Sequence, residues 1–184
     1  MAGYYTYLMS SVPMLHFGEK PPFSFEEFLR MCEGIISKED MDVVKTSVEI
    51  SSYDYKKNQP IFQSEAGLVS AGKRWQAFDL TLRNELVKIR AAGKKIDPLK
   101  CIRGEGYADP SIAHIATHAH RSPSILEAER ILDLERWCFL DELGAGHYFD
   151  IDSLIVYANK LVILERWEKI NTADKSQMLE KVLK

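Results

Sequence analysis

Apolar residues recur at every third or fourth position along most of the chain, and this helical period constrains the fold more than any other feature. The longest example lies within residues 65–92, where one apolar face contains Leu68, Ala71, Trp75, Phe78, Leu82, Leu86 and Ile89. No segment has a convincing strand pattern, and residues 45–51 are the nearest candidate. The sequence therefore predicts an all-α fold, a bundle of six or seven helices.

Capping residues predict where several helices begin. Ser24 is followed three residues later by Glu27, which is the pattern of a capping box. Ser37 with Asp40 is a weaker example of the same pattern, and Asp150 is predicted to cap a helix near the end of the chain.

Prolines and glycines predict further boundaries. Asp109-Pro110 and Ser122-Pro123 each place a capping side chain before a proline suited to a first helical turn. Gly93 is predicted to end the long helix over residues 65–92. The segment 97–107 holds one proline and two glycines, so we expect it to be irregular and to act as the hinge.

The hinge divides the chain into two predicted helical modules, residues 1–96 and 97–184. A chain of 184 residues suits either two small modules or one medium domain in which both pack together.

Composition excludes several classes of protein. With 46% hydrophobic and 28% charged residues the chain is not of disordered type, and no apolar run is long enough to span a bilayer. A net charge of −3 disfavours a nucleic-acid binder. The sequence starts without the basic region of a signal peptide, so we expect a cytoplasmic protein.

The three cysteines, Cys32, Cys101 and Cys138, fit a reducing compartment because their number is odd and no Cys-x-x-Cys pair occurs. Cys32 and Cys138 lie in apolar helical patterns, so both are predicted to pack in the core. The same prediction applies to the three tryptophans, Trp75, Trp137 and Trp167.

One segment approaches a phosphate-binding loop. Residues 67–74 match G-x-x-x-x-G-K, but Arg74 stands where a Ser or Thr hydroxyl would hold magnesium. The helical period continues through this segment and no strand precedes it. We therefore expect no nucleotide site here.

His114, His118 and His120 form the one histidine cluster. His114 and His118 are four residues apart, so both could face one metal ion from a single helix turn. Ile115 occupies the position where a zincin motif has its Glu. A surface histidine face is the favoured interpretation, and a metal-dependent enzyme that uses these residues remains an alternative.

Charged residues elsewhere indicate surfaces rather than catalytic groups. Asp133 and Glu129, four residues apart, are predicted to lie on a solvated helix face. A basic stretch comprises Lys88, Arg90, Lys94, Lys95, Lys100 and Arg103, interrupted by Asp97 and Glu105. Within it, the candidate partner-binding residues are Lys94, Lys95, Lys100 and Arg103.

Two aromatic-rich segments stand out from the rest of the chain. The first contains Tyr4-Tyr5-Thr6-Tyr7-Leu8, Pro13-Met14-Leu15 and Phe25-Glu26-Glu27-Phe28-Leu29. The second contains Arg136-Trp137, Phe149-Asp150-Ile151-Asp152, Leu154-Ile155-Val156-Tyr157-Ala158-Asn159-Lys160 and Glu165-Arg166-Trp167. These segments resemble the C-type subunit of V/A-type ATPases, the counterpart of the eukaryotic d-type subunit, and more closely a little-characterised bacterial family found alongside V-type ATPase subunits.

The resemblance implies a mechanical role. The C-type subunit sits on the cytoplasmic face of the membrane rotor ring, receives the central shaft and binds no nucleotide. It is built from three helical modules, and this chain has room for one or two. The implied protein is a non-catalytic subunit, peripheral to the inner membrane, that binds other V/A-type ATPase subunits and has no cofactor, metal ion or small-molecule substrate. A helical adaptor or regulator with another partner remains the alternative.

Overall fold

The computed structural model describes residues 2–49, 70–103 and 109–173, and this part of the chain is all-α, as predicted. It contains seven α-helices and no strand. The helices are α1 (Ala2–Ser11), α2 (Phe25–Cys32), α3 (Lys38–Glu49), α4 (Ser70–Lys94), α5 (Pro110–His120), α6 (Ile125–Gly144) and α7 (Ile151–Thr172). Of the nearest strand candidate, residues 45–51, residues 45–49 belong to α3, and residues 50–51 lie outside the described residues.

The capping predictions for α2, α3 and α7 are confirmed. Ser24 Oγ accepts from the backbone N–H of Glu27 at 3.1 Å, and the backbone N–H of Ser24 donates to the Glu27 carboxylate at 2.7 Å, which completes the box that starts α2. Ser37 Oγ accepts from the N–H of Asp40 at 3.0 Å before α3. Asp150 accepts from the N–H of Ser153 at 2.9 Å and so caps α7.

The prediction for the start of α6 is wrong by two residues. Asp109 caps α5 at Pro110 as predicted, but α6 is capped by Ser124, whose hydroxyl accepts from the N–H of Glu127 at 3.0 Å. The backbone N–H of Ser122 instead donates to Ala119 O at 3.1 Å and closes the end of α5.

The end of α4 also differs from the prediction. The helix runs to Lys94, and Lys95 rather than Gly93 adopts the left-handed conformation, with φ of 55°. The N–H of Ile96 donates to Ala91 O at 3.0 Å and the N–H of Lys95 to Ala92 O at 3.2 Å, the bonds of a Schellman motif. The predicted start of this helix, near residue 65, lies outside the described residues.

Helix α7 is the centre of the structure. It packs against α1, α2, α3, α4 and α6, and residues 152–159 are buried without interruption. A helix that is apolar on all sides is stable in water only when other elements surround it. Helices α1, α2, α3, α4 and α6 therefore stabilise α7 by covering its apolar surface.

The main hydrophobic core surrounds α7, and a smaller cluster of Leu82, Ala116, Ala119 and Leu132 joins α4, α5 and α6. Trp75, Trp137 and Cys32 are buried as predicted, whereas Trp167 is only half-buried. Cys138 is exposed, so its predicted place in the core is wrong. Trp137 faces the core, and the side chain of Cys138 faces solvent because consecutive residues of an α-helix are rotated by about 100°.

Helices on both sides of the predicted hinge pack together, with α7 against α1–α3 and α4 against α5 and α6. The division into modules 1–96 and 97–184 stays a prediction.

None of the described helices is long and apolar enough to cross a bilayer.

Candidate protein interaction surface

The two aromatic-rich segments meet in space at α7. The phenol of Tyr157 donates to the carbonyl oxygen of Pro13 at 3.0 Å. The carboxylate of Glu165 accepts from the backbone N–H of Phe25 at 2.6 Å. Burial raises the pKa of the Tyr157 phenol above its ordinary value. The two hydrogen bonds hold together residues that are more than 100 positions apart in sequence.

A hollow of about 410 Å³ opens where these segments meet. Its apolar walls come from residues 9–15, from the end of α6, from the connection between α6 and α7, and from α7 itself. They include Met9, Met14, Leu140 and Tyr148. Apolar pockets flanked by polar groups are where large side chains of a partner protein contribute most to binding.

An ion pair lies at one side of the hollow. Lys160 Nζ is 2.5 Å from the Asp141 carboxylate and lies 5.0 Å from the centre of the Trp137 ring. The side chain of Lys160 is only 13% exposed, so this charge is held in a fixed position between an anion and an aromatic face.

Large apolar side chains beside the hollow are turned toward solvent. Met14 is 81% exposed, Tyr148 is 69% exposed and Phe149, whose ring centre is 6.5 Å from that of Tyr148, is 50% exposed. Methionine and tyrosine are enriched in protein interfaces. We call Met14, Tyr148, Phe149 and the adjoining hollow the Met14–Tyr148 surface.

Helix α1 presents a second exposed aromatic pair, Tyr4 and Tyr7, which lie three residues apart on one helix face. Tyr5 between them turns inward, and its hydroxyl donates to Asp40 on α3 at 2.5 Å. Burial, and then this hydrogen bond, raise the pKa of Tyr5.

His147 stands at the edge of the hollow and pairs with the start of α7. Its Nδ1 is 2.6 Å from the Asp150 carboxylate and 3.7 Å from that of Asp152. The hydrogen bond with Asp150, more than the nearby charges, raises the pKa of His147. Burial alone would raise the pKa of Asp150, but its hydrogen bonds from His147 and Ser153 hold it below the ordinary value.

Away from the hollow, Asp133 has an environment that the sequence analysis missed. The predicted solvated carboxylate is 0% exposed. It accepts from Arg136 Nη1 at 3.0 Å and from Trp167 Nε1 at 2.8 Å, and it pairs with Arg166. This carboxylate therefore joins the middle of α6 to the end of α7.

The ion-pair network extends to α4 through a second buried carboxylate. Arg136 Nε donates to Asp79 at 2.9 Å, and Arg83 Nε lies 2.7 Å from the other Asp79 oxygen. Because each buried carboxylate has at least two charged donors, the network satisfies its charges inside the protein. The network therefore connects α4, α6 and α7 and is expected to stabilise their packing.

The candidate partner-binding residues Lys94, Lys95, Lys100 and Arg103 are exposed and lie in or just after the end of α4. The Asn84 side chain fixes this segment to α4, because its Oδ1 accepts from the Arg103 N–H at 3.0 Å and its Nδ2 donates to Arg103 O at 2.6 Å. Their role as a partner site stays a prediction. Lys88 is paired with Glu85 at 2.6 Å.

The described part of the phosphate-loop near-match, residues 70–74, is the first turn of α4, and residues 67–69 lie outside the described residues. The N–H of Ala71 donates to the Asp152 carboxylate at 3.2 Å. The protein's own carboxylate therefore occupies the helix N-terminus where a phosphate would bind.

His114, His118 and His120 lie exposed on α5. Among the residues that the structure describes, no three His, Cys, Asp or Glu side chains are placed to hold a metal ion.

Burial raises the pKa of the Cys32 thiol to about 12, so this cysteine is protonated at neutral pH.

A larger hollow of about 650 Å³ lies between residues 17–20, the start of α6 and the end of α7. Trp167 and Leu126 contribute apolar surface, while Lys20 and Glu168 form an ion pair at 3.5 Å.

Comparison with protein families gives a match for the C-terminal part of the chain. Residues 110–184 match a family described as "Protein of unknown function (DUF2764)". The match covers less than half of the 184 residues and includes α5, α6 and α7. No curated protein and no solved structure matches the chain.

Proposed function

We propose that this protein is a non-catalytic structural subunit that binds a partner protein at the Met14–Tyr148 surface. The partner that we propose is a subunit of a V/A-type rotary ATPase, in which the chain would couple the central shaft to the membrane rotor ring. The observation that carries the docking proposal is the exposure of Met14 and Tyr148 beside an apolar hollow.

The convergence of the two segments supports this proposal. The residues that carry the resemblance to the V/A-type ATPase family come from both ends of the chain, and they build one surface through the contact of Tyr157 with Pro13. Several of them, including Glu165 and Trp167, stabilise the fold through hydrogen bonds. Met14, by contrast, has little role in the core and is available to a partner.

The chemistry of the surface also favours a protein ligand. A side chain the size of Met or Tyr that becomes fully buried contributes about 1.5–3 kcal/mol. Two such side chains around a hollow provide the centre of an interface, and the Lys160–Asp141 pair provides polar contacts at its rim.

The test is affinity purification of the tagged full-length chain from its native cells after membrane solubilisation. We expect V/A-type ATPase shaft or ring subunits to co-purify with the wild type. Met14→Asp with Tyr148→Ala should reduce their recovery at least tenfold. Both side chains are exposed, so the variant should keep the wild-type circular dichroism spectrum.

The matched control is Ile125→Asp, a substitution at a residue that is 87% exposed and lies outside the Met14–Tyr148 surface. It should leave recovery unchanged. Recovery of a different protein with the same dependence on Met14 would favour the helical adaptor, and wild-type recovery by the double variant would contradict docking at this surface.

A further inference from the structure

The end of α4 combines exposed aliphatic side chains with exposed lysines. Leu99 is 74% exposed and Ile96 is 49% exposed. Lys94 and Lys95 precede them and Lys100 follows, all exposed. A short 3-10 turn at Pro98–Lys100, capped by Asp97, holds Leu99 at this end of the helix. We call residues 94–100 the basic tip.

The basic tip belongs to a segment whose charge is opposite to that of the whole protein. Residues 90–103 contain five basic side chains and one acidic side chain, which gives +4, whereas the whole chain carries −3. In the part of the chain that the structure describes, Arg90, Lys94, Lys95 and Lys100 form no ion pair. These charges are therefore available to an anionic ligand.

We propose that the basic tip binds anionic phospholipid headgroups directly, with Leu99 and Ile96 entering the interfacial region of the bilayer. Lysine ammonium groups would bind lipid phosphates while two aliphatic side chains leave water, the combination that holds peripheral proteins on membranes. This inference is independent of the proposed ATPase partner.

The type of residue favours a lipid surface over an acidic protein. Protein interfaces are enriched in arginine and aromatic residues and depleted in lysine. The tip has three lysines and two aliphatic residues, with no aromatic or arginine between residues 94 and 100. The position of the basic tip at the end of α4 also suits a lipid bilayer. Its exposed side chains can enter the bilayer surface without a cavity of matching shape.

The natural cysteines allow a direct test on the full-length protein. Cys101 is exposed next to the tip, Cys138 is exposed on α6 and Cys32 is buried. In Cys138→Ser, an environment-sensitive fluorophore on Cys101 reports the tip. In Cys101→Ser, the same fluorophore on Cys138 is the matched control.

We expect the probe on Cys101 to brighten and shift to the blue with vesicles of phosphatidylserine and phosphatidylcholine. It should respond weakly to pure phosphatidylcholine, and the probe on Cys138 should respond to neither. Raising the salt from about 0.1 M to about 1 M shortens the screening length from ~10 Å to ~3 Å and should reverse most of the response.

Variants separate the two contributions. Lys94→Glu with Lys95→Glu should weaken vesicle binding by at least 25-fold, at about fivefold for each lysine charge removed. Leu99→Ser should weaken it and shift the remaining fluorescence toward that of a probe in water. Lys38→Glu with Lys45→Glu changes the net charge equally at exposed positions on α3 and should have little effect.

Three results would overturn the proposal. They are the absence of a Cys101 response to phosphatidylserine vesicles at low salt, an equal response to neutral vesicles, and equal losses in the α3 control variant. A protein that binds no vesicles but loses a protein partner in Lys94→Glu with Lys95→Glu would assign the tip to an acidic protein surface.

Discussion

The indole N–H of Trp167 donates to the buried carboxylate of Asp133 at 2.8 Å, and this contact joins the end of α7 to the middle of α6. Arg136 and Arg166 bind the same carboxylate. Removal of Asp133 would leave two guanidinium groups and an indole N–H without their shared acceptor.

Asp133→Ala is therefore expected to lower the free energy of unfolding by about 3–5 kcal/mol. Asp133→Asn should cost less, because the amide oxygen still accepts from Trp167. Urea denaturation measures both changes. The exposed Glu142→Gln on the same helix is the control and should remain within about 0.5 kcal/mol of wild type. Equal effects of Asp133→Ala and the control would contradict the buried network.

Trp75 provides a test of the main core. It is 1% exposed and packs against Phe78 and Phe139, with ring centres 6.2 and 6.5 Å away. Trp75→Ala is expected to cost about 3–5 kcal/mol of unfolding free energy, measured by urea denaturation. Ile125→Ala at an exposed position should change it little. A loss below about 1 kcal/mol at Trp75 would show that this side chain is not in the core.

His147 predicts a dependence of stability on pH. Its pKa in the folded protein is raised above the ordinary 6.5 by the hydrogen bond with Asp150. The stabilising contribution is thus fully present below 6.5 and is lost as the pH rises through the folded-state pKa. For Asp150, whose pKa is lowered from 3.8, the contribution is present above that value and is lost in acid.

Titration of the His147 ring by NMR should give a pKa above 6.5, and Asp150→Asn should return it toward that value. Asparagine is an equally good helix cap, so α7 should keep its start. As the pH rises from below 6.5 through the folded-state pKa of His147, the wild type should lose more stability than His147→Gln. An unchanged His147 pKa in Asp150→Asn would refute the pairing.

The packing of α7 predicts that residues 110–184 do not fold stably without the rest of the chain. These residues match the family of unknown function, yet α7 also packs against α1, α2 and α3. A fragment of residues 110–184 would expose the α7 face that these helices cover. It should therefore bind 8-anilinonaphthalene-1-sulfonate and unfold without a cooperative transition. A cooperative transition without dye binding would indicate a self-sufficient C-terminal module.

The sequence predicts local structure well because local interactions determine it. The capping box of Ser24 and Glu27 and the cap at Asp150 involve residues three positions apart, so no distant partner is needed. The helical period of the apolar residues likewise follows from the geometry of each helix. These signals were sufficient for the all-α fold.

Tertiary packing decides the features that the sequence analysis missed. Asp133 and Arg136 show the spacing of a solvated helix pair, and this local spacing does not reveal the partners of Asp133 on α7, Arg166 and Trp167. Cys138 and Trp137 are neighbours in one apolar run, and the orientation of α6 decides that Trp137 faces inward.

The candidate surface was likewise predictable only in part from the sequence. The sequence identified both aromatic-rich segments as packing or interface residues, but periodicity could not say which side chains would face outward. Met14 is exposed while the next residue, Leu15, is buried, because α1 ends at Ser11 and the following residues lie over α7.

The most direct test of the docking proposal is photo-crosslinking in native cells, with benzoylphenylalanine replacing Tyr148 in one strain and Ile125 in another. Both positions are exposed, but only the first lies in the Met14–Tyr148 surface. We predict a covalent adduct from position 148 that contains a V/A-type ATPase shaft or ring subunit, and no such adduct from position 125. The absence of this adduct at 148, or its equal formation at both positions, would contradict the account.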